Sequence, residues 1–434
     1  MQMMLLRARA WLRAGAVRQR RAAPLKYRLP RTVCLAALLA VGSVQAQQAT
    51  TLKQAFETAW ARQPEARGGD LRRAAADARR DAAGNWLVAA PSLEMSAKSD
   101  RANSDKGTRE YDVGVGLPLW LPGERGGAQA LADAESDALA SRLRAAQLRI
   151  AADVREAWWA AVVASIEVEV ASARLKNAEQ LAGDVGRRVK AGDLSRADQH
   201  QAEGGVATAQ ALLAEVSSAQ VSAAQRLRSL IGAPARVPAE PIAEKTPVLP
   251  ANMVIDEASH PVLREIADRA EAARKAKALA QTQTRANPQL MLATTRERGT
   301  YSEAYENSLT VGVRIPFGAD NRQRARIVTA EAEAVEAETR LEYEREQVFA
   351  GVDAARARAD ASRLQLAAAE RRAQLARETR GFYDKSFRLG ESDLPTRLRV
   401  ELESYEADRQ LARSRVSAAL SISQLRQALG LLPE

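Results

Sequence analysis

A chain of 434 residues is long enough for two or three ordinary domains or one elongated one. The formal charge of +10 is unevenly placed. The first 46 residues hold nine basic residues and no acid, which leaves 55 basic against 54 acidic residues in the rest. A near-neutral body argues against nucleic-acid binding. One Cys and two His exclude an internal disulfide and a Cys/His zinc site, and 4% aromatics amid abundant Ala, Arg, Glu and Leu predict long helices.

In chain order, the first segment has the pattern of an export signal. Arg28 and Arg31 close a basic stretch, the apolar run to Val41 follows, and Val44-Gln45-Ala46 fits a small-x-small cleavage site. The pattern predicts a signal peptide over 1–46; a retained anchor is the alternative, although the run is too short to span a bilayer. Cys34 lies ahead of the apolar run, so a lipidated first cysteine is not expected and the mature chain would contain no Cys.

Residues 51–86 read as helix and about 92–101 and 109–119 as strands. A helix without proline runs over 127–187, and a returning helix over about 194–231. A Pro-rich linker over 233–254 cannot be a regular helix. The same order then recurs: helix 255–285, strands about 289–298 and 307–317, helix 322–388, helix 394–429. The recurrence has a register. Val113-Gly114-Val115-Gly116-Leu117-Pro118 matches Val311-Gly312-Val313-Arg314-Ile315-Pro316, and Gly192 and Gly232 match Gly390 and Gly430, all at an offset of 198. The chain therefore divides into repeats over 47–232 and 255–434. The short helices have the right length to stack end-on with the returning ones, so each half should be a pair of equal rods.

The four strand segments alternate with period two. Their apolar set is Leu93, Tyr111, Val113, Val115, Leu292, Leu309, Val311 and Val313, the candidate lipid-facing residues. Each segment has about the 9–11 residues of a tilted membrane strand. Soluble hairpins capping a helical bundle would show the same pattern. In lipid, four strands would leave unpaired backbone edges, and single-chain barrels begin at about eight strands. A membrane reading therefore demands several copies of the chain.

The export signal, the tandem repeat, the two strand pairs and the two very long helices together resemble the TolC-like outer-membrane efflux family over residues 50–432. Gln63-Pro64, His260-Pro261, Leu117-Pro118-Leu119-Trp120, Ile315-Pro316-Phe317-Gly318 and the two glycine turns carry the resemblance. The turn Lys190-Ala191-Gly192-Asp193, followed by Asp198, resembles the heavy-metal (CzcC-like) branch that serves resistance-nodulation-division pumps. The resemblance implies a mainly α fold with a small transmembrane β part. Each of three chains would give four strands to a twelve-stranded barrel above a periplasmic helical barrel. It implies an exit duct working with a periplasmic adaptor and an inner-membrane pump, for heavy-metal cations or drugs. A type I secretion duct and a soluble periplasmic coiled-coil scaffold are the alternatives.

No residue set supports catalysis: there is no phosphate loop, nucleophile elbow or His pair at metal spacing, and His200 and His260 are isolated. Neither a cofactor nor a resident metal is expected. The tips are the better sites. Val189, Lys190, Ala191, Gly192, Asp193 and Leu194, with Arg388, Leu389, Gly390, Glu391 and Ser392, are turns by geometry and adaptor-docking tips by resemblance. Family gates carry carboxylates six and nine residues after the second tip glycine; here those places hold Thr396 and Arg399. The first repeat has Asp198 and Gln201 there. Glu403, seven residues past Thr396 on one helical stripe, could restore an anionic ring, or pair with a base on a neighbouring helix. Arg399 could pair with Asp198 or Asp193, or line the pore.

Overall fold

The computed structural model describes residues 50–238, 240–247, 258–317 and 321–434; the expected leader, Cys34 and the cleavage site at Ala46 lie outside them. The first repeat contains α1 (Leu52–Ala61), α2 (Pro64–Arg67), α3 (Gly69–Gly84), β1 (Ser92–Ser99), β2 (Arg109–Pro118), α4 (Glu124–Ala191) and α5 (Arg196–Ile231). The second contains α6 (Pro261–Thr282), β3 (Gln289–Arg298), β4 (Glu306–Arg314), α7 (Asn321–Leu389) and α8 (Leu394–Ala428).

The helix expected over 51–86 is in fact three. A residue before proline is driven out of the α region, and Gln63 sits at φ −69, ψ 142 ahead of Pro64. Gly68 then divides α2 from α3. The same chemistry opens α6, where Pro261 takes the first helical position and His260 Nδ1 accepts the Leu263 N–H at 3.5 Å.

The long helices α4 and α7 have 68 and 69 residues, about 100 Å each at 1.5 Å per residue. Both stop at glycines in the left-handed region, Gly192 at φ +87 and Gly390 at φ +80. The turns are built alike: the Asp193 N–H donates to Arg188 O and the Glu391 N–H to Ser386 O, each at 2.9 Å.

The main core lies midway along α4. There Trp158, Trp159 and Val162 pack against Leu52 and Phe56 of α1, Leu227 and Ile231 of α5, and Val416 of α8. The Trp159 indole N–H donates to Ser423 Oγ at 3.0 Å. Farther along, the buried residues between α7 and α8 are mostly Ala, such as Ala369, Ala373 and Ala407. Small side chains let two helices approach closely over a long span.

The expected end-on stacking is present: His260 Nε2 meets Ala428 O at 3.2 Å, which abuts α6 on the end of α8. The two halves are nevertheless not separate rods. Helix α6 packs on α4 of the first repeat as well as on α7, so the repeats interlock. The four strands form one antiparallel sheet in the order β1-β2-β3-β4, with β2 and β3 joining the repeats and β1 and β4 at the edges. No helix among the described residues is long and apolar enough to cross a membrane.

Candidate functional site

The sheet register sorts the side chains by face. Leu93, Val115, Leu292 and Val311 form one cross-strand row, and Met95, Val113, Thr294 and Leu309 the next. Tyr111 and Val313 share their parity, so all eight residues of the predicted apolar set lie on one face. That face is open, with Leu309 77% and Val311 64% exposed. The opposite face carries Glu94, Glu110, Asp112, Glu297 and Glu306 against two bases, Lys98 and Arg314. Lys98 pairs with Glu110 at 3.3 Å. Asp112 accepts from Ser96 Oγ at 2.9 Å and Thr295 Oγ1 at 2.6 Å. The apolar face holds no carboxylate among its strand residues.

The strand-to-helix junction is fixed by a buried acid. Gly123, at φ +81, turns the chain into α4, and Glu124 is 1% exposed. Its carboxylate accepts from the Leu121 N–H at 2.9 Å, Gln283 Nε2 at 2.8 Å and Asn287 Nδ2 at 2.5 Å. Asn287 also donates to Leu119 O at 3.1 Å, so the second repeat holds the exit of β2 in place.

At the far end of the helices the two tips come together. Arg188 donates from both Nη atoms to the carbonyls of Phe387 (2.9 Å) and Arg388 (3.2 Å). The Phe387 ring is 2% exposed, with the Arg188 guanidinium 4.7 Å and the Arg397 guanidinium 4.9 Å from its centroid. Asp384 takes both Arg388 at 2.6 Å and Arg397 at 2.5 Å. Of the predicted tip residues, Val189 and Leu194 pack into this cluster beside Leu181, Val185 and Leu394. Lys190 and Ala191 end α4, Arg388 and Leu389 end α7, and Gly192, Asp193, Gly390, Glu391 and Ser392 form the turns themselves. Gly192 and Gly390 have open space where a Cβ would lie.

The candidate gate residues are employed locally. Asp198 stands at the third position of α5 and closes a capping box with Ser195, accepting its N–H at 2.9 Å and its hydroxyl at 2.7 Å. Thr396 holds the same position in α8 and donates its N–H to Asp393 at 3.3 Å. Hydrogen bonds from Thr396, its side chain first, hold the Asp393 carboxyl below the usual range. Arg399 pairs with Glu403 at 2.8 Å, one turn along α8, rather than with Asp198 or Asp193. Both members of that pair are more than half exposed. Among the described residues no group of three or more His, Cys, Asp or Glu side chains is arranged to hold a metal ion.

The family profile described as "Outer membrane efflux protein" matches residues 55–233, essentially the first repeat. The cobalt-zinc-cadmium resistance protein CzcC of Cupriavidus metallidurans is 26% identical over 254 residues, 58% of this chain and 59% of that protein. The first repeat is therefore similar to the outer membrane efflux proteins. The matched stretch spans just under three fifths of the length of CzcC. Among solved structures the transmembrane-channel-forming CusC superposes with a TM-score of 0.74 at 17% identity, covering 88% of this chain and 93% of that one. The outer membrane protein VceC of Vibrio cholerae gives 0.69 at 18% identity, covering 90% and 98%. At such identities these two show the fold. The matched family is, by its description, one of the outer membrane.

Sequence reasoning missed Arg188, Phe387, Arg397 and Asp384 as a tip assembly. The second-repeat phenylalanine standing where the first repeat has Val189 was the available signal: a large ring at an otherwise aliphatic turn needs a site to fill.

Proposed function

We propose that the chain is the exit duct of a tripartite efflux system, passively conducting cations from an inner-membrane pump and a periplasmic adaptor to the exterior. It acts as a trimer and has no catalytic role. The observation that carries this reading is a four-stranded sheet with one exposed apolar face, one acidic face and two open edges. Unpaired strand edges are not tolerated in lipid, so β1 and β4 must pair with other copies of the chain. Three chains give twelve strands, the apolar face turned to lipid and the acidic face to the lumen.

The helical part supports the same assembly. Only eight residues of the 69 in α7 are buried. Val328, Val335, Leu364, Leu375 and Phe382 are all exposed, and at 100° per residue they fall within about 40° of one another. That stripe runs about 80 Å at 1.5 Å per residue, a face suited to the helix of a neighbouring copy. It also speaks against a soluble scaffold, which would leave both this stripe and the sheet in water.

The cargo reading rests on charge. Five carboxylates against two bases per chain line the face assigned to the lumen, spread along the strands rather than gathered into a chelating site. Such a field attracts cations and lets them leave. Likeness to a cobalt-zinc-cadmium resistance protein supports divalent metal as the cargo. The joined tips, held by Arg188 on the Phe387 and Arg388 carbonyls, are the face for the adaptor. The test is native mass spectrometry together with planar-bilayer conductance of the purified protein. Trimers with cation-preferring conductance are expected, and Leu364→Arg with Phe382→Arg should dissociate them. A monomer that conducts nothing would overturn the proposal.

A further inference from the structure

The apolar face of the sheet does not end in apolar residues. At its loop end the last two cross-strand rows place Arg109, Arg296 and Arg298 among Tyr111 and Tyr305. Arg296 lies 4.7 Å from the Tyr305 ring centroid, and Arg298 4.9 Å from the same ring and 5.3 Å from that of Tyr301. Arg298 also donates its Nε–H to Gly107 O at 3.1 Å, which fixes the guanidinium with its other nitrogens free to turn outward.

None of these three arginines pairs with a carboxylate among the described residues, whereas Lys98 on the opposite face pairs with Glu110. The strand acids that could neutralise them, Glu110, Glu297 and Glu306, point to the other face. The loop acids are engaged elsewhere. Asp100 accepts the Lys106 N–H at 2.7 Å, Asp105 the Tyr301 hydroxyl at 2.6 Å, and Glu303 the Gly299 N–H at 2.9 Å. The cluster also sits on β2 and β3, the two inner strands, so closing the sheet through β1 and β4 leaves it uncovered.

Three uncompensated arginines at the outer rim of a lipid-directed face, held by stacked tyrosine rings, match one kind of neighbour. Tyrosines belong at the level of the headgroups. Guanidinium groups bind phosphate oxygens through paired N–H donors. We propose that Arg109, Arg296 and Arg298 form a binding site for the phosphates of the glycolipid in the outer leaflet, which seats the barrel at a fixed depth. The inference rests on the proposed lipid-facing assignment of the sheet.

The test uses the full-length protein in vesicles containing bisphosphorylated lipid A, or lipid A with both phosphates removed, compared by flotation and by native mass spectrometry of retained lipid. Wild type should retain the phosphorylated form preferentially. Arg296→Gln with Arg298→Gln should weaken that retention roughly 30-fold, equivalent to about 2 kcal/mol for two arginines at a charged surface. Lys98→Gln, on the other face, should leave it unchanged. Inorganic phosphate at equal phosphate concentration should not compete; if it does, the cluster is a simple anion site and the lipid assignment is wrong. Wild type that floats but retains both lipids equally overturns this inference alone. Wild type that fails to float overturns the lipid-facing reading beneath it as well.

Discussion

Val311 and Gly312 are neighbours on β4 with opposite facings, and they allow a direct test of which face meets lipid. Val311 lies in the row with Leu93, Val115 and Leu292 and is 64% exposed. Gly312 pairs with Met291 on the acidic face, and a Cβ built there meets nothing within 4 Å. The other glycines of the acidic face are poorer controls. A Cβ on Gly114 would come within 3.2 Å of Ala293 Cβ, and one on Gly116 within 2.6 Å of Ser92 Oγ, so steric cost would mix with the effect of the medium. An arginine at either 311 or 312 has room, and the two sites differ by one strand residue in depth. Val311→Arg should cost about 2–4 kcal/mol per chain near the membrane midplane, hence about 6–12 kcal/mol over three chains. Gly312→Arg should change stability by about 1 kcal/mol or less, since it places a base beside acids in water. Urea unfolding in phospholipid vesicles, followed by tryptophan fluorescence, and the heat at which the oligomer dissociates on gels both report the difference. Equal losses at the two positions would refute the facing, and no loss at Val311 would refute the membrane sheet.

Glu244 binds Arg155 through two hydrogen bonds, at 2.8 and 3.0 Å, and Arg426 at 3.4 Å, with all three side chains at most 5% exposed. Glu244→Gln leaves the buried Arg155 guanidinium without a carboxylate and Arg426 with Glu434 alone, at 2.8 Å, and should destabilise the helical part by about 3–5 kcal/mol in chemical denaturation, whereas a loss under about 1 kcal/mol would show that water reaches the site. His260 is buried, and desolvation lowers its pKa although its bond to Ala428 O opposes this, so the native ring is neutral and its contribution is complete above the ordinary value of 6.5. As pH falls below that value the unfolded chain takes the proton first, so melting temperature should drop between about pH 7 and 5, and His260→Asn should flatten that part of the profile. Because Arg399 and Glu403 pair with each other, Glu403→Gln and Arg399→Ala should shift cation preference in opposite directions in bilayer conductance, and the double change should restore it; if no variant alters conductance, this stripe of α8 does not line the pore.

What the sequence determined was whatever depends on neighbours along the chain. Prolines at 64 and 261, glycines at 192 and 390 and the uninterrupted runs between them mark the helix ends, because a missing N–H or a left-handed backbone acts locally. Alternation along each strand gave the side on which Val113 or Val311 points relative to its own neighbours. The capping role of Asp198 was equally local: Ser195 three residues before it is the signal, and the family gate pattern obscured it. Tertiary structure decided the rest. Only the pairing of β2 with β3 brings the apolar sets of all four strands onto one face, since parity within a strand does not specify its register with another. The wedge of α6 between α4 and α7, the grip of Arg188 on Phe387 and the closure of Glu244 on Arg155 and Arg426 join residues as far as 199 positions apart. A single charged or aromatic side chain carries no periodicity that could announce such a partner. Its place follows from packing, where a buried charge must find its counterpart and a large ring must fill a space.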